Sequence, residues 1–171
     1  MTKTVGIGGV SRAGKTTLAV QLANQLQNTL LLALDDFVLP SVQLPRINQT
    51  EDWEHPLSVD WNNLFSTISE GENNYDYILI EGILTFAHPT LNRILSGGIY
   101  LHLSKASYWF LRLQETRWGK EPKWYLDYVW EAHQVYGKPS PGISKWLELP
   151  EFHSALRPSI RHWILSERSE L

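Results

Sequence analysis

An α/β fold is what this sequence predicts: a parallel β-sheet flanked by helices, with a helical lid over one end. Three observations carry that expectation. Short apolar runs alternate with stretches of helical periodicity through most of the 171 residues, as a parallel sheet covered on both faces requires. The first run leads into a glycine loop, Gly9-Val10-Ser11-Arg12-Ala13-Gly14-Lys15-Thr16-Thr17, that fits the phosphate-loop pattern G-x-x-x-x-G-K-[ST] and opens a helix. Ten of the fifteen Lys and Arg residues follow Ser104, which suits a lid facing phosphate.

Taken in order, the first strand spans about 4–9, where Thr4-Val5-Gly6-Ile7-Gly8 is short and β-branched enough to be buried. A helix follows over 15–27, because Leu18, Leu22 and Leu26 recur every fourth residue along one face. Strand two covers 29–34, where the run Leu30-Leu31-Leu32-Ala33-Leu34 is wholly apolar. From Pro40 to Pro56, three prolines with polar residues between them mark an ordered excursion, and long loops in small domains commonly bind something. Helices are expected over 59–70, 89–96, 105–117 and 123–136, strands over 76–81 and 99–103, and a fifth strand over Arg161–Leu165. The helix from Lys105 sets Ala106, Trp109, Phe110 and Leu113 on its buried face and Arg112 toward the other side. Trp118-Gly119-Lys120-Glu121-Pro122 reads as the tip of a lid over 112–125, within one domain spanning 1–171.

Composition narrows the function classes. With 43% apolar residues the chain can bury one substantial core. A net charge of -3 and a pI near 6.1 give no overall attraction to nucleic acid. Absence of cysteine excludes disulfides and thiolate metal sites. Apolar runs fall far short of the ~20 residues a membrane-spanning helix needs, so no membrane partner is expected. The sequence enters its first strand directly from Met1 with no basic-then-apolar leader, and a cytoplasmic location is expected.

The chemistry concentrates at the strand ends, where ligands bind in sheets of this kind. In the glycine loop, Gly9, Ser11, Ala13, Gly14, Lys15, Thr16 and Thr17 are expected to cradle a polyphosphate with unpaired N–H groups at the positive end of a helix. Lys15 would reach the β- and γ-phosphates of ATP, and Thr16 would offer its hydroxyl to Mg2+. Asp35-Asp36-Phe37 follows strand two. A carboxylate there can aim an acceptor hydroxyl at phosphorus and take its proton, which makes Asp35 the candidate base; the competing reading is a turn or helix cap. Glu81, ending strand three, is the second candidate for Mg2+, which needs few protein oxygens. Arg12, inside the loop, is expected to point to solvent.

Four segments taken together resemble the nucleoside-kinase branch of the phosphate-loop kinases, with uridine kinases and nicotinamide riboside kinases as the nearest families. They are the glycine loop, Asp35-Asp36-Phe37-Val38-Leu39-Pro40, Trp53-Glu54-His55-Pro56, and Ile78-Leu79-Ile80-Glu81-Gly82-Ile83-Leu84, over about residues 4–136. The resemblance implies ATP-dependent phosphorylation of a ribose 5′-hydroxyl, with Asp35 as base and Glu81 assisting Mg2+. It puts Asp36, Phe37, Glu54 and His55 on the acceptor side, Glu54 holding ribose hydroxyls where uridine kinases carry an aspartate. A packed Trp53 beside a solvated Glu54 is the alternative, and His55 next to proline fits a structural role better than a catalytic one. By the resemblance Arg112 and Arg117 loosely match lid arginines that neutralise charge on the transferred group, which guanidinium forks suit; an ordinary solvated helix arginine is the alternative for each. In Trp124–His133, Tyr128-x-Trp130 resembles the equivalent helix of nicotinamide riboside kinases, although packing accounts for most of these aromatics.

Past Gly137 the resemblance fades, Lys138-Pro139-Ser140-Pro141-Gly142 reads as a loop, and the residues that would contact adenine are unassigned. Two other functions fit the glycine loop. One is a nucleotide-dependent switch without an acceptor, against which stands the absence of an Asn-Lys-x-Asp segment; the other is a kinase of the same superfamily acting on pantothenate or a sugar phosphate.

Overall fold

Lys3–Gly9 form β1, which is buried along almost its whole length because it lies at the centre of the sheet. The computed structural model describes residues 1–117, 119–139, 141–143, 145–150 and 158–166. Five strands make the sheet: β1, β2 (Thr29–Ala33), β5 (Tyr77–Glu81), β6 (Gly97–Leu101) and β7 (Trp146–Leu149), in the order β2-β5-β1-β6-β7 and all parallel. Two very short strands, β3 (Arg46–Ile47) and β4 (Thr50–Glu51), form a separate antiparallel hairpin within the proline-rich excursion.

Register brings the chemistry together. Glu81 pairs with Ile7 on one side and Ala33 on the other. The carboxyl ends of β1, β5 and β2 therefore open side by side, and the glycine loop, Glu81 and the turn carrying Asp35 emerge at one edge.

Helices α1 (Lys15–Gln25) and α6 (Pro158–Leu165) cover one face, where Leu18, Leu22, Ile160 and Ile164 pack with Val5, Ile7 and Leu79. On the opposite face α2 (Trp61–Gly71) and α3 (Pro89–Ile94) pack Leu64, Ile68 and Leu91 against Ile78 and Ile80. Successive residues Ile78, Leu79 and Ile80 thus enter opposite cores, as the two-residue period of a strand demands. Local chemistry fixes the helix starts: the Asp60 carboxylate accepts from the Asn63 amide at 3.0 Å to open α2, and Ser104 Oγ accepts from the Ser107 amide at 3.1 Å to open α4 (Lys105–Leu113). A third cluster, Val10, Tyr108 and Val129, lies under α4 and α5 (Lys123–Tyr136).

Three expectations are corrected. Arg161–Leu165 is not a strand: it lies in α6, where Ile160 and Ile164 are buried four residues apart, a helical spacing that the apolar Trp163-Ile164-Leu165 run obscures. The fifth strand is Trp146–Leu149, paired parallel with β6. The face of α4 is also reversed. Tyr108 and Arg112 are its buried pair, while Phe110 and Leu113 are 64% and 60% exposed. The Tyr108 hydroxyl donates to the Leu126 carbonyl at 3.0 Å, so α4 turns this side toward α5 and the glycine loop. α4 ends at Leu113, short of 117, and residues 114–122 connect it to α5; of the proposed lid tip Trp118, and of the loop at 138–142 Ser140, lie outside the described residues. Among the described residues no helix is long and apolar enough to cross a membrane.

Candidate active site

At the loop itself, two glycines make the turn possible. Gly14 has φ 91°, a left-handed conformation that side chains disfavour, and it directly precedes α1. Gly9 has φ 149°, and a Cβ there would stand 2.7 Å from the Leu101 carbonyl oxygen. The Val10 carbonyl accepts from the Ala13 amide at 3.1 Å and from Lys15 Nζ at 3.2 Å. Lys15 is buried, and burial pushes its ammonium below the ordinary value against the pull of Glu81, Asp35 and Glu54. Three acidic side chains thus act on one buried cation before any phosphate arrives.

Thr16 Oγ1 donates to Glu81 Oε1 at 2.7 Å, with Glu81 itself buried at the end of β5. Both are hard oxygen donors, the set Mg2+ prefers, and their direct contact shows that they share one point at the mouth of the loop.

A cavity of about 1110 Å³ opens beside them. Its wall includes Ser11, Gly14, Lys15, Thr16 and Thr17 from the loop and α1, Asp35, Glu54, Glu81, and both Arg112 and Arg117. Asp35 sits in a short 3-10 turn, Leu34–Phe37, whose cap position falls on Ala33 with no side-chain cap, so Asp35 does not serve as the cap. Its carboxylate is exposed toward the cavity. Glu54 is 7% exposed, whereas Trp53 is 44% exposed, the opposite of a packed tryptophan beside a solvated acid. Burial pushes the Glu54 carboxyl up to about 8, with Arg112 and Lys15 opposing the rise.

Other predicted residues fall elsewhere. Phe37 is buried in the core with Leu34, Val59 and Leu64, and Asp36 is exposed and outside the cavity wall. An apolar ring after strand two fills the space above α2, which is a packing role. His55 Nδ1 accepts from the Leu57 amide at 3.1 Å and its ring meets Tyr136 edge-on at 5.3 Å, so it caps a turn rather than facing the cavity. Gly9 and Ala13 shape the loop from behind without lining the cavity. Arg12 does not point simply to solvent, because its Nη1 pairs with Glu115 Oε2 at 2.7 Å; Arg117 Nη2 meets the same oxygen at 2.8 Å.

Three contributors escape sequence reasoning. Asp52 is 5% exposed; its Oδ1 accepts from the Glu54 amide at 3.1 Å and its Oδ2 from the Tyr128 hydroxyl at 2.5 Å. α5 thereby fastens the loop that carries Glu54, and burial together with this bond keeps the Tyr128 phenol protonated. Glu121 accepts from Arg112 Nε at 2.7 Å and Nη2 at 2.8 Å. Of the three only Tyr128 stands out in the sequence, through Tyr128-x-Trp130, and nothing there pairs it with Asp52.

No family model matches the chain. Nicotinamide riboside kinase 2 from Mus musculus is 26% identical over 152 residues, covering 77% of this chain and 78% of that protein. Nicotinamide riboside kinase 1 from Homo sapiens is 28% identical over 151 residues, with 77% and 75% covered. A solved structure described as a possible uridine kinase from Bacillus stearothermophilus has a TM-score of 0.50 and 21% identity, covering 78% of this chain and 83% of that one. The chain is thus similar in sequence to nicotinamide riboside kinases, and its fold is that of the kinases among the solved structures. Within such a kinase the arrangement has a direct chemical sense. Lys15, the loop amides and Arg112 offer positive charge where a polyphosphate would lie, and Asp35 and Glu54 offer acids where an alcohol would enter.

Proposed function

We propose that this kinase transfers the γ-phosphoryl group of ATP to a hydroxyl of a small nucleoside-like molecule, most simply the 5′-hydroxyl of a ribose in a compound of the uridine or nicotinamide riboside type. The observation that supports it is one cavity bounded by Lys15, the Thr16–Glu81 pair, Asp35, the buried Glu54 and Arg112. The similarity to nicotinamide riboside kinases favours a nucleoside over a sugar phosphate.

In this reading the loop amides and Lys15 hold the triphosphate, and Thr16 and Glu81 would hold Mg2+, which when bound offsets negative charge on the phosphates. Glu54 orients the acceptor through its ribose hydroxyls. Asp35 receives the reacting hydroxyl as a hydrogen-bond donor, aims its oxygen at the γ-phosphorus and takes the proton late, because the transition state is loose. Arg112 meets the charge that shifts on the transferred group, while Arg117, 65% exposed at its side chain, contributes through a screened field. A panel of nucleosides, vitamin precursors and sugars incubated with ATP and Mg2+ and read by mass spectrometry tests the proposal. It predicts a nucleoside monophosphate with stoichiometric ADP; ADP formed at the same rate with no acceptor added would refute it.

A further inference from the structure

Arg112 occupies an unusual position for a helix arginine. It sits in the last turn of α4, 7% exposed, and reaches the loop through Nη1, which donates to Ser11 Oγ at 2.6 Å. The other edge of the same guanidinium belongs to Glu121, whose two oxygens take Nε at 2.7 Å and Nη2 at 2.8 Å. Both side chains are largely withdrawn from solvent, at 7% and 14% exposure.

We propose that Glu121 is the positioning residue for the lid arginine: by holding the Nε/Nη2 edge it fixes the plane of Arg112 so that the Nη1 end projects into the phosphate site. This rests on the phosphoryl-transfer reading above. Two parallel bonds to a planar fork define its orientation, where one bond would leave it free to rotate. An arginine side chain left without that partner regains several rotamers and, being buried beside Lys15, is driven outward by desolvation and by like charge.

Glu121 is itself well placed for this work. It stands two residues before α5, and α5 is fixed to α4 by the Tyr108–Leu126 hydrogen bond and to the acceptor loop by the Tyr128–Asp52 bond. The acid on the nine-residue connection from 114 to 122 thus inherits its position from a packed helix. Glu115 makes a comparable link between Arg12 and Arg117, but Arg117 is 65% exposed there, so only the Glu121 pair is shielded enough to hold one geometry.

Steady-state kinetics on the full chain, with ATP, Mg2+ and the best acceptor from the panel, test this through Glu121→Gln, Arg112→Ala and the double variant. Glu121→Gln should lower kcat by about 10- to 100-fold with the acceptor KM within about threefold, and the double variant should match Arg112→Ala, since the acid acts only through the arginine. Millimolar guanidinium should restore part of the activity of Arg112→Ala and none of the double variant, a readout that a merely structural role would not move. Glu121→Asp, which keeps the charge, should recover activity over Glu121→Gln and guards against misreading a folding defect. A defective Arg112→Ala with an unchanged or faster Glu121→Gln, losses that multiply in the double variant, or equal guanidinium rescue in both overturns the proposal. Wild-type kcat in Arg112→Ala would instead remove the phosphoryl role of the arginine, and the assignment to Glu121 with it.

Discussion

Glu54→Gln is the substitution whose effect can be worked out most fully. The wild-type carboxyl has an ordinary value of 4.5 and is raised to about 8 by burial. Between those two values the folded protein keeps a proton that the unfolded chain has released, so this group makes stability fall as pH rises from about 4.5 to about 8. At about 1.4 kcal/mol per pH unit the full interval is worth at most about 5 kcal/mol, and relaxation around the ionised acid trims this to roughly 2–5 kcal/mol. Glutamine fills nearly the same volume and never ionises. The ligand-free variant should therefore match wild type up to a constant offset near pH 5 and gain steadily on it until about pH 8, above which the difference levels off. Urea unfolding of both proteins at pH 5.5, 7 and 8.5 reads the gap. A stability difference that stays constant within about 0.5 kcal/mol across that range would show that Glu54 is not held protonated by burial, and the electrostatic picture of the acceptor end would fail.

Two further outcomes follow from neighbouring bonds. Tyr128→Phe removes the donor to Asp52 and should raise the acceptor KM by about 3- to 30-fold, the ATP KM staying within about twofold, since the loss is confined to the loop holding Glu54; equal effects on both constants in initial-rate kinetics would deny that link. Glu81→Gln weakens the hard oxygen pair with Thr16 and should raise the Mg2+ concentration for half-maximal rate by about tenfold or more, whereas an unchanged Mg2+ titration would remove Glu81 from that role.

Much of the architecture was legible in the sequence because it rests on local signals. The glycine loop joins a strand to a helix by residue types that few other structures need, and Leu18 and Leu22 mark the inner face of α1 by spacing alone. Asp35 and Glu81 are legible as candidates because parallel strands deliver their carboxyl ends to one edge. What remained hidden was buried polarity. The sequence sets Arg112 outward because a charged residue is ordinarily solvated, whereas in the fold it is buried with a pair to Glu121 and a contact to Ser11, 101 residues away. Asp52 and Tyr128 are 76 residues apart in sequence and meet only through the packing of α5. Phe37 sits in a recognisable motif while serving the core, and His55 takes the structural role that its neighbouring proline suggests.

The central claim is that Asp35 directs an alcohol onto a phosphoryl group held by the loop, and single-turnover transfer by Asp35→Asn measures it most directly. With the ATP analogue bound within about threefold of wild-type affinity, the rate of transfer should fall by roughly 10²–10⁴-fold. Transfer at the wild-type rate, or a loss accounted for wholly by weaker nucleotide binding, would contradict the account.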